Sequence, residues 1–116
     1  MLPRDPRWRE GAILFNARRY FECHEVWEAL WREITGPERE LLQGLIQLAV
    51  AYYHATRGNR LGANYLYRRG RTRVAPWLPG HAGLSLAGLM AQMDRDFGAG
   101  TSFRAGNAQI GLAQPR

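Results

Sequence analysis

Apolar positions recur along most of the chain three and four residues apart, the spacing of helices that turn one face to a core. The first such segment opens at Asp5-Pro6, an N-cap aspartate followed by proline at the first helical position. It runs to Arg19 with Trp8, Ala12 and Phe15 on one face and Ile13 as a further candidate. Asn16 to Phe21 reads equally as a bend or a continuation. A second helix, Phe21 to Ile34, stops at Thr35-Gly36-Pro37, where glycine ends one helix and proline can begin the next. Val26, Leu30, Cys23, Trp27, Tyr20 and Trp31 belong to its apolar face, and Ile34 extends it. His24 and Glu28, four residues apart, border that face on one side, while Glu22, Glu25, Arg32 and Glu33 fall opposite.

The third helix, Glu38 to Arg57, is apolar almost all the way round, from Leu41 and Leu42 to Tyr52 and Tyr53. That pattern belongs to a helix at the centre of a bundle or in a dimer interface. Gln43, Gln47 and His54 form its polar arc, with Glu40 at the edge. Gly58-Asn59 closes the helix, and a fourth follows from Leu61 to Ala75 with Leu61, Tyr65, Leu66 and Val74 as its apolar residues. Gly62 and Gly70 lower its propensity, for which close helix packing is the expected return. Pro76 to Gly83 reads as a loop, and Ser85 caps a fifth helix carrying Leu86, Leu89, Met90, Met93 and Phe97.

The expected fold is therefore all-α: one domain over residues 1–97, a compact bundle of about five helices around a central, mostly apolar third helix. Residues 98–116 are expected to be flexible or to dock on a partner through Phe103, Ile110 and Leu112. A homodimer is expected, because the third helix carries more apolar surface than a small bundle covers.

The chain's 116 residues, 46% of them hydrophobic, suffice for one core and not two. The run Leu45 to Tyr53 is interrupted by Gln47 and is far shorter than the roughly 20 residues that cross a bilayer. With no apolar leader at the N-terminus and a single cysteine, Cys23, a cytoplasmic protein with no membrane association is expected.

All 16 basic residues are arginine. The absence of lysine removes a Schiff-base site for pyridoxal phosphate and the lysine of a P-loop nucleotide site. One cysteine cannot build a Cys-rich zinc site, and neither Ser85 nor Ser102 sits in a nucleophile elbow. The net charge of +6 is unevenly spread: residues 22–40 hold six glutamates against two arginines, and residues 57–73 hold six arginines and no acid. The two blocks can pair when their helices pack, or the basic block can form a working surface.

Phe15-Asn16, Tyr20-Phe21-Glu22-x-His24-Glu25-x-x-Glu28-x-x-Trp31, Gln43-Gly44-Leu45-Ile46-Gln47 and the run from His54 through Arg57-Gly58-Asn59-x-x-Gly62-Ala63 to Arg69-Gly70 form linked blocks over residues 12–75. In these blocks the chain resembles the bacterial and archaeal family known as domain of unknown function 309. The resemblance implies a compact helical fold and brings no established activity. Its most distinctive positions are His24, Glu28, Gln43, Gln47 and His54; Glu25 also matches, although helical projection turns it away from the core.

Three functional readings stand. If the polar arc of the third helix faces the His24/Glu28 border, a polar network or small-ligand site forms between the two helices of an interaction protein. Alternatively, His24, Glu28 and His54 form a mixed N/O site for a divalent metal in a hydrolase, with Glu28, His24 or Glu25 as the catalytic base. The zinc-protease and di-iron spacings are absent, and no acid between Glu40 and Asp94 supplies the second cluster of a magnesium pyrophosphatase. The third reading is nucleic-acid or nucleotide binding, not favoured, with Arg57, Arg60, Arg68 and Arg69 on phosphates. His81, in its loop, is expected to be merely exposed, and Cys23, on the apolar face, to pack as a small hydrophobe.

Overall fold

A computed structural model describes residues 2–98 and 106–113. Asp5 caps helix α1 (Pro6–Asn16) as expected, its Oδ1 accepting from the Arg7 backbone N–H at 2.9 Å. Between α1 and α2 (Tyr20–Trp31) the chain bends, and Arg18 takes a φ of 62°. Helix α3 (Glu38–Thr56) follows the break at Gly36, whose φ is 88°. Gly58 takes a φ of 82° at the end of α3, and the Asn59 Oδ1 then accepts from the Gly62 N–H at 3.0 Å to cap α4 (Arg60–Val74).

The packing follows chain order: α1 on α2, α2 on α3, α3 on α4. Leu41, Leu42, Leu45, Leu48, Ala49, Ala51 and Tyr52 of α3 are almost wholly buried within the single chain. The apolar surplus that argues for a second copy at α3 is thus already covered. Trp27, fully buried in α2, donates its indole N–H to the Trp8 carbonyl at 3.0 Å, and a Cβ on Gly11 would fall 2.0 Å from that nitrogen. Those contacts tie α1 to α2.

Helix α4 packs differently from its sequence expectation. Its buried residues are Ala63, Gly70 and Val74, whereas Leu61 and Tyr65 point outward, 86% and 60% exposed. Small residues win that face because α3 approaches too closely for large ones: a Cβ on Gly70 would lie 2.8 Å from the Gly44 carbonyl oxygen. Gly62 has another neighbour, the capping Asn59 side chain at the start of its own helix. Ile13 is likewise on the solvent side of α1, 49% exposed.

The stretch expected as a plain loop holds a single turn of 3-10 helix, Ala75–Trp77, and a hairpin of β1 (Gly80–His81) and β2 (Leu84–Ser85). Ala82 and Gly83, with φ of 51° and 85°, form its two-residue turn. Helix α5 (Ala87–Gly98) starts after Ser85, which is a strand residue and not its cap. Of the segment expected to be flexible or to dock on a partner, residues 106–113 are described. Residues 106–113 lie on the same chain, and β3 (Gly111–Leu112) pairs antiparallel with β2. The physical reason is polar capture: the Asn16 side chain accepts from the Ile110 N–H at 2.7 Å and donates to the Ile110 carbonyl at 2.9 Å. Ile110 is thereby seated in the core, while Phe103 falls outside the described residues.

Candidate functional site

Helix α2 and its C-terminal turn supply the first half of the expected polar site. His24 Nε2 meets Glu28 Oε2 at 2.8 Å, and Glu28 Oε1 accepts from Arg32 at 2.5 Å. This ladder runs along the flank of the helix at spacings of four, half exposed. Glu25 points to solvent, as its projection predicts.

The α3 arc does not join that ladder. Gln47 is buried, and its Oε1 accepts from Arg73 Nε of α4 at 3.1 Å, while the same guanidinium donates to Glu40 at 2.5 Å. Gln47, Arg73 and Glu40 therefore clamp α3 to α4, on a different helix pair from His24 and Glu28. His54 stands at the other end of α3, where its Nδ1 lies 3.5 Å from the amide of Asn59, the residue that caps α4. Gln43 is half-buried. Among the described residues no hydrogen bond connects His24 or Glu28 with Gln43, Gln47 or His54.

The two histidines are linked through rings instead: His24 to Phe21 at 5.9 Å between centroids, Phe21 to Tyr53 at 5.7 Å, Tyr53 to His54 at 5.9 Å. Two aromatic rings thus stand between the imidazoles, so His24, Glu28 and His54 do not form the metal triad expected from their types. Among the described residues no group of three or more His, Cys, Asp and Glu side chains converges to hold a metal ion.

The charge blocks pair mostly within themselves or with other segments. Arg73 to Glu40 joins them, but Arg71 pairs with Asp94 at 2.8 Å, Glu33 with Arg7 and Glu22 with Arg19. Arg57 stacks over the Tyr53 ring at 5.3 Å, and Arg60 opens α4. Arg68 and Arg69, with Thr72 and Arg73, line a shallow cleft of about 290 Å³.

Two polar constellations escape a reading from the sequence. His81 is no idle loop residue: its Nε2 lies 2.5 Å from Glu38 Oε2 and its ring packs edge-on against Trp77, holding the hairpin to the start of α3. The other is a buried centre around Asp96. Tyr52, wholly buried, donates its hydroxyl to Asp96 and accepts from the Ala108 N–H at 3.1 Å. Gln92 and Asn107 side chains also donate to the carboxylate, each at 3.0 Å. Burial alone would raise the Asp96 carboxyl, yet the donors from Tyr52, Asn107 and Gln92 outweigh it and hold the group below its ordinary value. Burial pushes the Tyr52 phenol up, and the neighbouring Tyr20 phenol up to about 12. One signal for Asp96 did exist: it falls three residues after Met93 and seven after Leu89, on the buried arc of α5.

Taken together, the helical core, its small-residue seam and its locally paired polar groups define a compact helical domain. The chain belongs to the family described as Domain of unknown function (DUF309), whose family model matches residues 8–66. It is 50% identical over 56 residues to an uncharacterised protein, YpuF, of Bacillus subtilis (strain 168), a match covering 47% of this chain. The chain spans about a third of that relative's length, 32%. The crystal structure of a conserved hypothetical protein from Thermus thermophilus superposes with a TM-score of 0.66 at 39% identity, covering 80% of this chain and 97% of the other. No helix among the described residues is long and apolar enough to cross a membrane.

Proposed function

We propose that the chain is a small interaction module and not a hydrolase, with the polar residues of its family signature serving to set helix geometry. One observation carries this reading: His24 with Glu28 and Arg32, Gln47 with Arg73 and Glu40, and His54 with Asn59 form three separate local pairings. A catalytic site needs its acid, base and electrophile within reach of one reacting atom. The metal-hydrolase reading draws no support from the spacing of these donors, and among the described residues no hydrogen bond joins the polar groups that the small-ligand reading places together between α2 and α3. The single cysteine of the chain, Cys23, supports a protein of a reducing, cytoplasmic compartment. For a homodimer, α3 is covered, and the large apolar side chains exposed among the described residues include Ile13 of α1 and Phe21 of α2 as well as Leu61 and Tyr65 of α4.

Elemental analysis of untagged protein, beside the His24→Ala variant, tests the reading. The module predicts no stoichiometric metal and a variant that loses less than about 1 kcal/mol, the scale of a half-exposed helix pair. One metal ion per chain that disappears in His24→Ala would overturn it.

A further inference from the structure

Helix α4 has two opposite faces, and the bundle uses one of them. At about 100° per residue, Leu61, Tyr65, Arg68, Arg69 and Thr72 fall within an arc of about 100°, across the axis from buried Ala63, Gly70 and Val74. All five are exposed, and no acid occurs anywhere in the helix.

The arginines of α4 differ in what they hold. Arg71 is matched to Asp94, and Arg73 to Glu40 and Gln47. Arg68 and Arg69, adjacent in sequence, have no carboxylate partner among the described residues. The Arg69 guanidinium instead lies 5.4 Å from the Tyr65 ring centroid. Thr72 donates its hydroxyl to the Arg68 carbonyl at 3.0 Å, so the donors left to the cleft are the guanidinium groups. The cleft at these residues, about 290 Å³ and open on one side, falls just below the roughly 300–1,000 Å³ of enclosed small-molecule sites. It suits a charged group held from one side, as a backbone phosphate is.

Resting on the interaction-module reading, we propose that this face of α4 binds single-stranded nucleic acid: Arg68 and Arg69 take the phosphates and Tyr65 offers its ring to a base. The planar guanidinium matches phosphate oxygens with two parallel donors, and an exposed tyrosine beside an arginine gives a continuous stacking surface. Bases within a duplex are already stacked, so an unpaired strand is the partner that uses both features. Glu40 occupies Arg73 and bounds the phosphate track on that side.

The test is fluorescence anisotropy of a labelled oligothymidylate of about 20 nucleotides with the full chain, between about 50 and 200 mM salt. Arg68→Ala with Arg69→Ala should weaken binding roughly tenfold or more at low salt and lower the log–log salt slope by about 1.4, two phosphate contacts at about 0.7 each. Tyr65→Ala should weaken binding roughly fivefold or more with the slope kept. Arg32→Ala, just after α2, should change neither quantity. Thermal melts of each variant establish that it is folded. Absence of binding at low salt, indifference to the arginine pair, or equal displacement by polyglutamate overturns the proposal; so does a dimer that Leu61→Asp or Tyr65→Asp dissolves. An interaction module with another partner survives those results, whereas stoichiometric metal defeats the module itself.

Discussion

Gly44 and Gly70 face each other where α3 crosses α4: a Cβ on Gly70 would lie 2.8 Å from the Gly44 carbonyl oxygen, and one on Gly44 would lie 3.0 Å from that of Gly70. The helices meet backbone to backbone at this point, and the neighbours Leu48 and Val74 close around the contact. Alanine at position 70 gains helix propensity of about 1 kcal/mol but meets a carbonyl that cannot rotate away. Overpacking of this kind costs about 1–3 kcal/mol, so Gly70→Ala should be destabilised and melt several degrees lower. A melting temperature at or above that of the parent protein would show that the seam can widen.

The clamp and the ladder should differ in weight. Arg73→Ala leaves the buried Gln47 Oε1 without its donor, a loss of about 1–3 kcal/mol, whereas His24→Ala removes a half-exposed pair worth a few tenths of a kcal/mol. Urea unfolding of the two variants side by side measures the difference. Equal losses would mean that α2 carries a burden its exposure does not reveal.

Tyr52→Phe removes the hydroxyl shared by Asp96 and the Ala108 N–H. Two buried groups then lose a partner, and a loss of about 2 kcal/mol or more is expected. Because Ala108 belongs to the docked tail, amide exchange at residues 106–113 should accelerate in this variant. Unchanged protection there would separate the tail from the Tyr52 hydroxyl.

The Asp96 carboxyl is held below its ordinary 3.8 in the folded chain, so its contribution to stability is fully present above that value. It is lost as the pH drops through the lower folded-state value. Stability of the parent protein should therefore fall as the solution is acidified below about pH 4, and more steeply than that of Asp96→Asn. Denaturation midpoints between about pH 7 and pH 3 provide the check, and parallel curves would refute the assignment.

Cys23 is 0% exposed and burial pushes its thiol well above the ordinary range. A thiol-specific reagent should leave it unmodified in the native protein and label it at the rate of unfolding. Prompt labelling under native conditions would mean that α1 and α2 separate readily.

The helices were legible because local signals agreed. Asp5-Pro6 caps and starts α1, Gly58 permits the positive φ just past the end of α3, and the apolar spacing of Tyr20, Cys23, Trp27 and Leu30 marks the face that is buried, although α2 stops at Trp31, ahead of the expected break at Gly36. The site was less legible, since His24 and Glu28 are paired by spacing on one helix, but the partner of Gln47 lies 26 residues away in α4. A polar arc on α3 could face α2 or α4, and periodicity gives its direction without naming the neighbour. The same limit hid the roles of His81 and of Asp96, whose partners are 43 and 44 residues distant.

What the chain's order of residues determined by itself was the set of helices, the family and the lack of lysine chemistry, because each depends on types and spacings that are local. What only the tertiary structure decided was partnership. The close crossing at Gly44 and Gly70 turned the small face of α4 inward and left Leu61 and Tyr65 outside. Arg73 drew Gln47 away from His24, and Asn16, Tyr52 and Asp96 bound a tail of weak local preference. Contacts between residues far apart in sequence depend on helix separation and side-chain reach, quantities that exist only once the helices have packed.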